Sequence, residues 1–137
     1  MSGSAPNGSV NASAPGKRAR FPRSVRLLRH ADFERVYKQG RRHFAAHLTV
    51  FYLRRVRGEE FRVGFTVGRV LGGAVERNRM KRRLREAVRL HRPGDGMPVD
   101  VVINPKKSLL TAEFAELENE IRRAFEVIQR WLEKRNS

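Results

Sequence analysis

The run Arg77-Asn78-Arg79-Met80-Lys81-Arg82-Arg83-Leu84-Arg85-Glu86-Ala87-Val88-Arg89 constrains this chain more than any other segment. Met80, Leu84, Ala87 and Val88 recur at helical spacing, so one side of the segment can dock on a core. At roughly 100° per residue, Asn78, Lys81, Arg82, Arg85 and Arg89 fall on the opposite side. Eight Lys and Arg between Arg77 and Arg92 face one acid, Glu86. Such a helix repels itself along its outer face, and a polyanion would stabilise it by supplying the missing negative charge. Arg79 and Arg83 lie towards the flank, where they can pack against neighbouring elements.

The charge of the whole chain points the same way. There are 30 Lys+Arg against 14 Asp+Glu, a formal charge of +16 over 137 residues. That balance calls for an acidic partner, either nucleic acid or an anionic membrane surface. No apolar run approaches the roughly 20 residues of a membrane span, and no membrane partner is expected. Cysteine is absent. Its absence excludes a disulfide scaffold, a Cys-based zinc site and a thiol nucleophile, and it fits a cytoplasmic protein.

Residues 1–20 are mostly Ser, Gly, Ala, Asn and Pro, ending in the basic Lys17-Arg18-Ala19-Arg20. They lack the apolar centre of a signal peptide and are expected to form a disordered tail. Residues 21–137 are expected to form a single RNA-binding domain, large enough for a modest core.

Within it, Phe33, Val36 and Tyr37 share one face of a helix over 30–39, with Gly40 as its stop. The tract Arg42–Arg55 reads as extended, rich in β-formers at Thr49, Val50, Phe51 and Tyr52. Gly58-Glu59-Glu60 supplies a turn. In Arg62–Gly68, Val63, Phe65 and Val67 point one way, and Arg62, Gly64, Thr66 and Gly68 the other. Gly72-Gly73 precedes the basic helix, placed at about 74–91, and Pro93-Gly94-Asp95-Gly96 follows it. Val99–Ile103 reads as a short apolar strand stopped by Pro105. Thr111 can cap a last helix whose buried stripe is Phe114, Leu117, Ile121, Phe125, Ile128 and Leu132.

Two surfaces carry chemistry. Arginine on the basic helix can make paired hydrogen bonds to phosphate, and Asn78 can read a base edge or a ribose. The small residues Gly64, Thr66 and Gly68 make one side of their strand a shallow trough. With Phe33 and Tyr37 as walls, and Arg62 and Arg69 at its edges, the trough suits an extended single strand. Spacing alone favours core packing for Phe33 and Tyr37. Catalytic constellations are poor. His30, His43, His47 and His91 have no ligand spacing; Asp95 and Asp100 read as solvated residues at a turn and a strand start. No P-loop, nucleophile elbow or nuclease-type carboxylate cluster occurs. These features suit a nucleic-acid binder, and composition fits a ribosomal protein equally well.

The sequence Arg62-Val63-Gly64-Phe65-Thr66-Val67-Gly68-Arg69, the lead Gly72-Gly73-Ala74-Val75-Glu76 and the Arg77-Asn78-Arg79-Met80-Lys81-Arg82 helix are more specific. With Asp32–Gly40 upstream, they resemble the protein subunit of bacterial ribonuclease P, from about Phe21 to the last helix. The order of elements, αβββαβα, already reads as an α+β two-layer sandwich, a small mixed four-stranded sheet with helices on one side; the resemblance adds a left-handed β-α-β crossover. It implies removal of the 5′ leader from precursor tRNA, with catalysis and Mg²⁺ belonging to a large RNA and no catalytic group, metal or cofactor on the protein. Arg77, Asn78, Arg79, Lys81, Arg82, Arg85 and Arg89 are then expected on the catalytic RNA, and Phe33, Tyr37, Thr66 and Arg69 on the leader. The expected partners are ribonuclease P RNA, bound 1:1 by a monomeric protein, and precursor tRNA. The chain departs from the family at Val70, often a second basic residue, and at Asn104, often Arg.

Overall fold

The computed structural model describes residues 29–55, 58, 60–92 and 97–136, with side chains to Lys134. The tail at 1–20 and the break at Pro93–Gly96 lie outside the described residues, as does Glu59 of the 58–60 turn. Helix α1 spans His30–Gln39, strands β1 and β2 span Arg41–Phe44 and Leu48–Arg54, and β3 spans Arg62–Phe65. Helix α2 spans Ala74–His91, β4 spans Val99–Pro105 and α3 spans Phe114–Asn136. Short 3₁₀ turns at Arg69–Leu71 and Lys107–Leu110 precede α2 and α3.

The order αβββαβα is the expected one. The tract read as extended from Arg42 breaks into a hairpin because Ala45 N–H closes on the Leu48 carbonyl at 3.0 Å. No Gly, Pro or Asn marks that turn, so the local signal for it is weak. The sheet order is β1-β2-β4-β3. β1–β2 and β2–β4 are antiparallel, whereas β3 and β4 are parallel neighbours joined through α2.

Register determines what each face carries. Phe51 stands opposite Arg42 and Val102, and Val102 stands beside Gly64. Tyr52 stands opposite Arg41 and Val101, and Val101 stands beside Val63. Successive residues point to opposite faces. The Tyr52 face packs against Met80, Leu84, Ala87 and Val88 of α2 and Leu117, Ile121, Phe125, Ile128 and Leu132 of α3. Both apolar stripes read from the sequence therefore form the core, with Phe114 partly buried at its margin.

The expectation of helices on one side holds for α2 and α3 and fails for α1. Tyr52 meets Trp131 of α3, while its neighbour Phe51 meets Tyr37 of α1, so the two helices cover opposite faces. The physical reason lies in β4. Val101, Val102 and Ile103 are buried in succession, and a strand apolar at consecutive positions needs cover on both sides.

Caps place the helices. Arg29 N–H donates to Asp32 Oδ2 at 3.0 Å at the start of α1. Gly73 N–H donates to Glu76 Oε1 at 2.9 Å at the start of α2, after Gly72 turns the chain at φ 139°. Thr111 does not cap α3. It closes the preceding 3₁₀ turn, and Glu113, whose N–H is held by the Glu116 carboxylate, starts the helix.

Gly40 ends α1 for a steric reason. Its backbone is extended, not left-handed. A Cβ there would sit 2.5 Å from the Val36 carbonyl oxygen and 2.7 Å from that of Tyr52. Gly40→Ala is therefore expected to destabilise the fold by about 1–3 kcal/mol, the usual cost of forced overpacking; the shift in urea midpoint at constant slope measures it.

Candidate RNA interface

Helix α2 is docked by its buried stripe and presents its charge outward. Asn78, Arg79 and Arg82 are exposed; Arg77, Lys81 and Arg85 are half-buried. Arg77 Nε is shielded from solvent and has no acceptor among the described residues. The structure separates two residues from this group. Arg83 turns to the flank, donates to the Ala112 carbonyl and lies over the Phe114 ring, 5.9 Å from its centroid. It joins α2 to the start of α3. Arg89 makes a two-pronged pair with Glu86, which raises its pKa through that hydrogen bond. Among the described residues, it is the one member of the expected RNA-contacting set bound to an acid on its own helix.

The opposite face of the sheet forms the cleft. Phe33 and Tyr37 lie half-buried along the inner side of α1. The Tyr37 ring stands edge-on to Phe51, with centroids 4.9 Å apart. Its hydroxyl donates to Asn104 Oδ1 at 2.9 Å and lies 2.7 Å from Thr66 Oγ1, so the Thr66 hydroxyl donates to the Tyr37 oxygen. Tyr37 and Thr66 are thus joined as expected. Neither Phe33 nor Tyr37 belongs to the main core. Gly64 is buried, Thr66, Gly68 and Arg69 are exposed, and a Cβ on Gly68 would meet nothing within 4 Å. The floor is therefore open beyond Thr66.

Arg62 and Asp100 correct the sequence reading. Asp100 is fully buried. Arg62 grips it with Nε at 2.8 Å and Nη2 at 2.9 Å. Arg35 of α1 binds the same carboxylate, and Arg55 Nε lies at 3.6 Å. Asp32 adds a second carboxylate, 3.4 Å from both Arg35 and Arg62. The bond to Asp100 holds the Arg62 pKa above its ordinary value. Arg62 is thus committed to a clamp between α1 and the sheet and is not a free edge for a strand. Asp100 reads as solvated in the sequence because nothing local reveals partners from α1 and β3.

Comparison with known proteins decides the family. A family model described as Ribonuclease P matches residues 21–129. The ribonuclease P protein component of Desulfovibrio desulfuricans is 42% identical over 92 residues, covering 66% of this chain and 71% of that one. That of Symbiobacterium thermophilum is 40% identical over 104 residues, covering 76% and 90%. The Staphylococcus aureus RNase P protein structure superposes with a TM-score of 0.66 at 25% identity, covering 77% of this chain and 95% of that one. The Thermotoga maritima RNase P protein gives 0.60 at 28% identity, covering 72% and 96%. The chain belongs to the ribonuclease P protein family.

As a ribonuclease P protein component it acts in bacterial tRNA processing, with ribonuclease P RNA as its partner. No helix among the described residues is long and apolar enough to cross a membrane. Of the family departures, Asn104 takes up a structural task by holding Tyr37. Val70 is left 90% exposed beside Arg69, with no charge in place of the missing one. Two cleft residues escaped the sequence reading. Phe51 was legible from its alternation with Val50 and Tyr52; Phe44, 67% exposed on the same face, was hidden by the unmarked hairpin.

The clamp yields two predictions. Asp100→Asn removes the buried charge and leaves three guanidiniums with a weak acceptor; a loss of roughly 3 kcal/mol in unfolding free energy is expected, read by chemical denaturation. Burial opposes ionisation of Asp32, but the Arg29 N–H and the nearby Arg62 and Arg35 outweigh it and lower its pKa. A depressed carboxylate pKa stabilises the fold above the unfolded-state value near 4 and stops doing so as pH falls through the folded one. Asp32→Asn should therefore flatten the stability–pH curve below about pH 4 and leave its slope at neutral pH unchanged, as followed by thermal unfolding.

Proposed function

We propose that this chain assists RNA-catalysed removal of the 5′ leader from precursor tRNA by gripping two RNAs at once. The outer face of α2 holds the catalytic RNA through Arg77, Asn78, Arg79, Lys81, Arg82 and Arg85, with Arg89 exchanging Glu86 for a phosphate. The cleft between α1 and the sheet takes the single-stranded leader against Phe33 and Tyr37, with Thr66 and Arg69 at its open end. The observation that carries this reading is the α2 face: a fully docked helix whose exposed side bears arginines, an asparagine and a lysine with almost no acid to neutralise them.

Catalysis belongs to the RNA in this reading. The buried carboxylate Asp100 is saturated by guanidiniums, and Asp32 shares two of them. Neither is suited to carry Mg²⁺, so the metal acts through the RNA and the protein contributes positive charge where two polyanions meet. A net charge of +16 disfavours self-association and fits one protein per RNA. The setting is the cytoplasm, where precursor tRNA is made.

The test is leader cleavage of a precursor tRNA at physiological Mg²⁺, with a bacterial ribonuclease P RNA, this protein, or both. Cleavage by both together, faster than by RNA alone, is expected; cleavage by the protein alone would overturn the assignment of catalysis to the RNA. Arg82→Gln with Arg85→Gln should weaken binding to the RNA subunit and lower the log–log salt slope by about 1.5. Phe33→Ala or Tyr37→Ala should weaken precursor tRNA binding by ~10-fold, within the range for loss of one stacking platform, and spare mature tRNA. Equal losses on both tRNAs would remove the leader from the cleft.

A further inference from the structure

Strand register lays out the sheet face under α1 in rows. Phe44 stands opposite Thr49, and Thr49 opposite Asn104. Thr66 follows the pair of Phe65 with Ile103 and so lies beside Asn104. The Tyr37 hydroxyl touches both Thr66 and Asn104, which puts the two at one level. One row, Phe44–Thr49–Asn104–Thr66, therefore crosses all four strands. Three strand spacings of roughly 4.8 Å make it about 14 Å long, so different nucleotides would occupy its two ends.

Helix α1 packs on the inner strands β2 and β4. At the β1 end of the row Phe44 is 67% exposed, and among the described residues no aromatic ring or guanidinium packs on it. Contacts lead to this end from the cleft. Tyr37 stands edge-on to Phe51, and the exposed Arg42, on the same face of β1 as Phe44, holds its guanidinium 5.7 Å from the Phe51 centroid. Lys106, next after Asn104 on this face, donates from Nζ to the carbonyl of Ala45 at 3.0 Å, beside Phe44 in the chain.

The acids stand elsewhere. Among the described residues, the only acid in the four strands is Asp100, held by the clamp at the other end of β4. Asp32 shares that clamp, and Glu34 of α1 pairs with His30. Glu116 and Glu120 of α3 face His47 in the β1–β2 turn. An exposed ring with cations on either side fits a base and its phosphates, and single-stranded RNA recurrently lies across a sheet face with bases stacked on exposed aromatics.

We propose that the leader cleft continues past Tyr37 to the β1 edge, where Phe44 stacks a base and Arg42 and Lys106 take the adjoining phosphates. The Thr66 end adjoins Arg69 and the start of α2, so the Phe44 end receives leader nucleotides further from the cleavage site. The proposal rests on the reading that the cleft holds the leader, and it makes β1 a determinant of how much leader is gripped.

The test is precursor tRNA binding by the holoenzyme, assembled from this protein and a bacterial ribonuclease P RNA, under conditions that block cleavage. Leaders are shortened stepwise from the 5′ end. Phe44→Ala should weaken binding of long leaders roughly tenfold, the scale of one lost base stack, and leave leaders too short to pass Tyr37 unaffected. Phe44→Trp should retain the affinity that Phe44→Leu loses. Arg42→Gln should lower the log–log salt slope by about 0.7 on long leaders alone. Tyr37→Ala should already weaken binding at the shorter lengths. A loss in Tyr37→Ala with none in Phe44→Ala would overturn the extension and keep the leader in the cleft. Wild-type affinity independent of leader length would overturn both. A Phe44→Ala loss equal at every length, or one seen instead in binding of the catalytic RNA, would make Phe44 a structural or RNA-subunit contact and overturn the proposal.

Discussion

A carboxylate with no access to water must be neutralised where it sits, and Asp100 is neutralised by arginines that come from separate elements. Arg35 comes from α1, Arg62 from β3, and Arg55 follows β2. Because Asp100 itself is on the central strand β4, these pairs fix α1 over the sheet at one end. The other end is fixed by Tyr37 on Phe51, Thr66 and Asn104. The cleft is the space these two attachments leave open. Removing the charge would not merely weaken a contact; it would free the helix that forms one wall.

The two faces of the sheet divide the work. One is apolar across the middle of the sheet and is covered there by α2 and α3, which stabilises the fold by burial. The other is mixed, with Phe51, Val102 and Gly64 beside Asp100, Asn104 and Thr66, and a single short helix covers only part of it. Partial cover suits binding, because an apolar, polar-rimmed surface is left for a ligand. The excess positive charge stands on the outer sides of α2, β1 and α3, where water solvates it until a polyanion replaces the counterions.

The limits of α1 and α2 and the core stripes could be read from residues alone. Met80, Leu84, Ala87 and Val88 are buried because their spacing leaves them on one side of any helix that contains them. The basic face follows from the same geometry by exclusion. The cleft was legible in part: Tyr37 and Thr66 do meet, whereas Arg62 does not line the cleft as a free cation. Its commitment to Asp100, 38 residues away in sequence, leaves no local trace. The side taken by α1 does not follow from the order of elements, whereas the unbroken apolar run in β4 calls for cover on both faces.

The sequence by itself determined which residues form helices, which stripe each helix buries and where the charge accumulates, because these depend on periodicities of 3.6 and 2 that act within one segment. Tertiary structure alone decided which arginines remain available. Arg35, Arg55, Arg62 and Arg83 are drawn inward by partners distant in sequence, while Arg41, Arg82 and Arg123 are left outside. All seven are the same residue in similarly basic stretches. Coulomb attraction and desolvation depend on distance in space, and that distance exists only once the strands have paired.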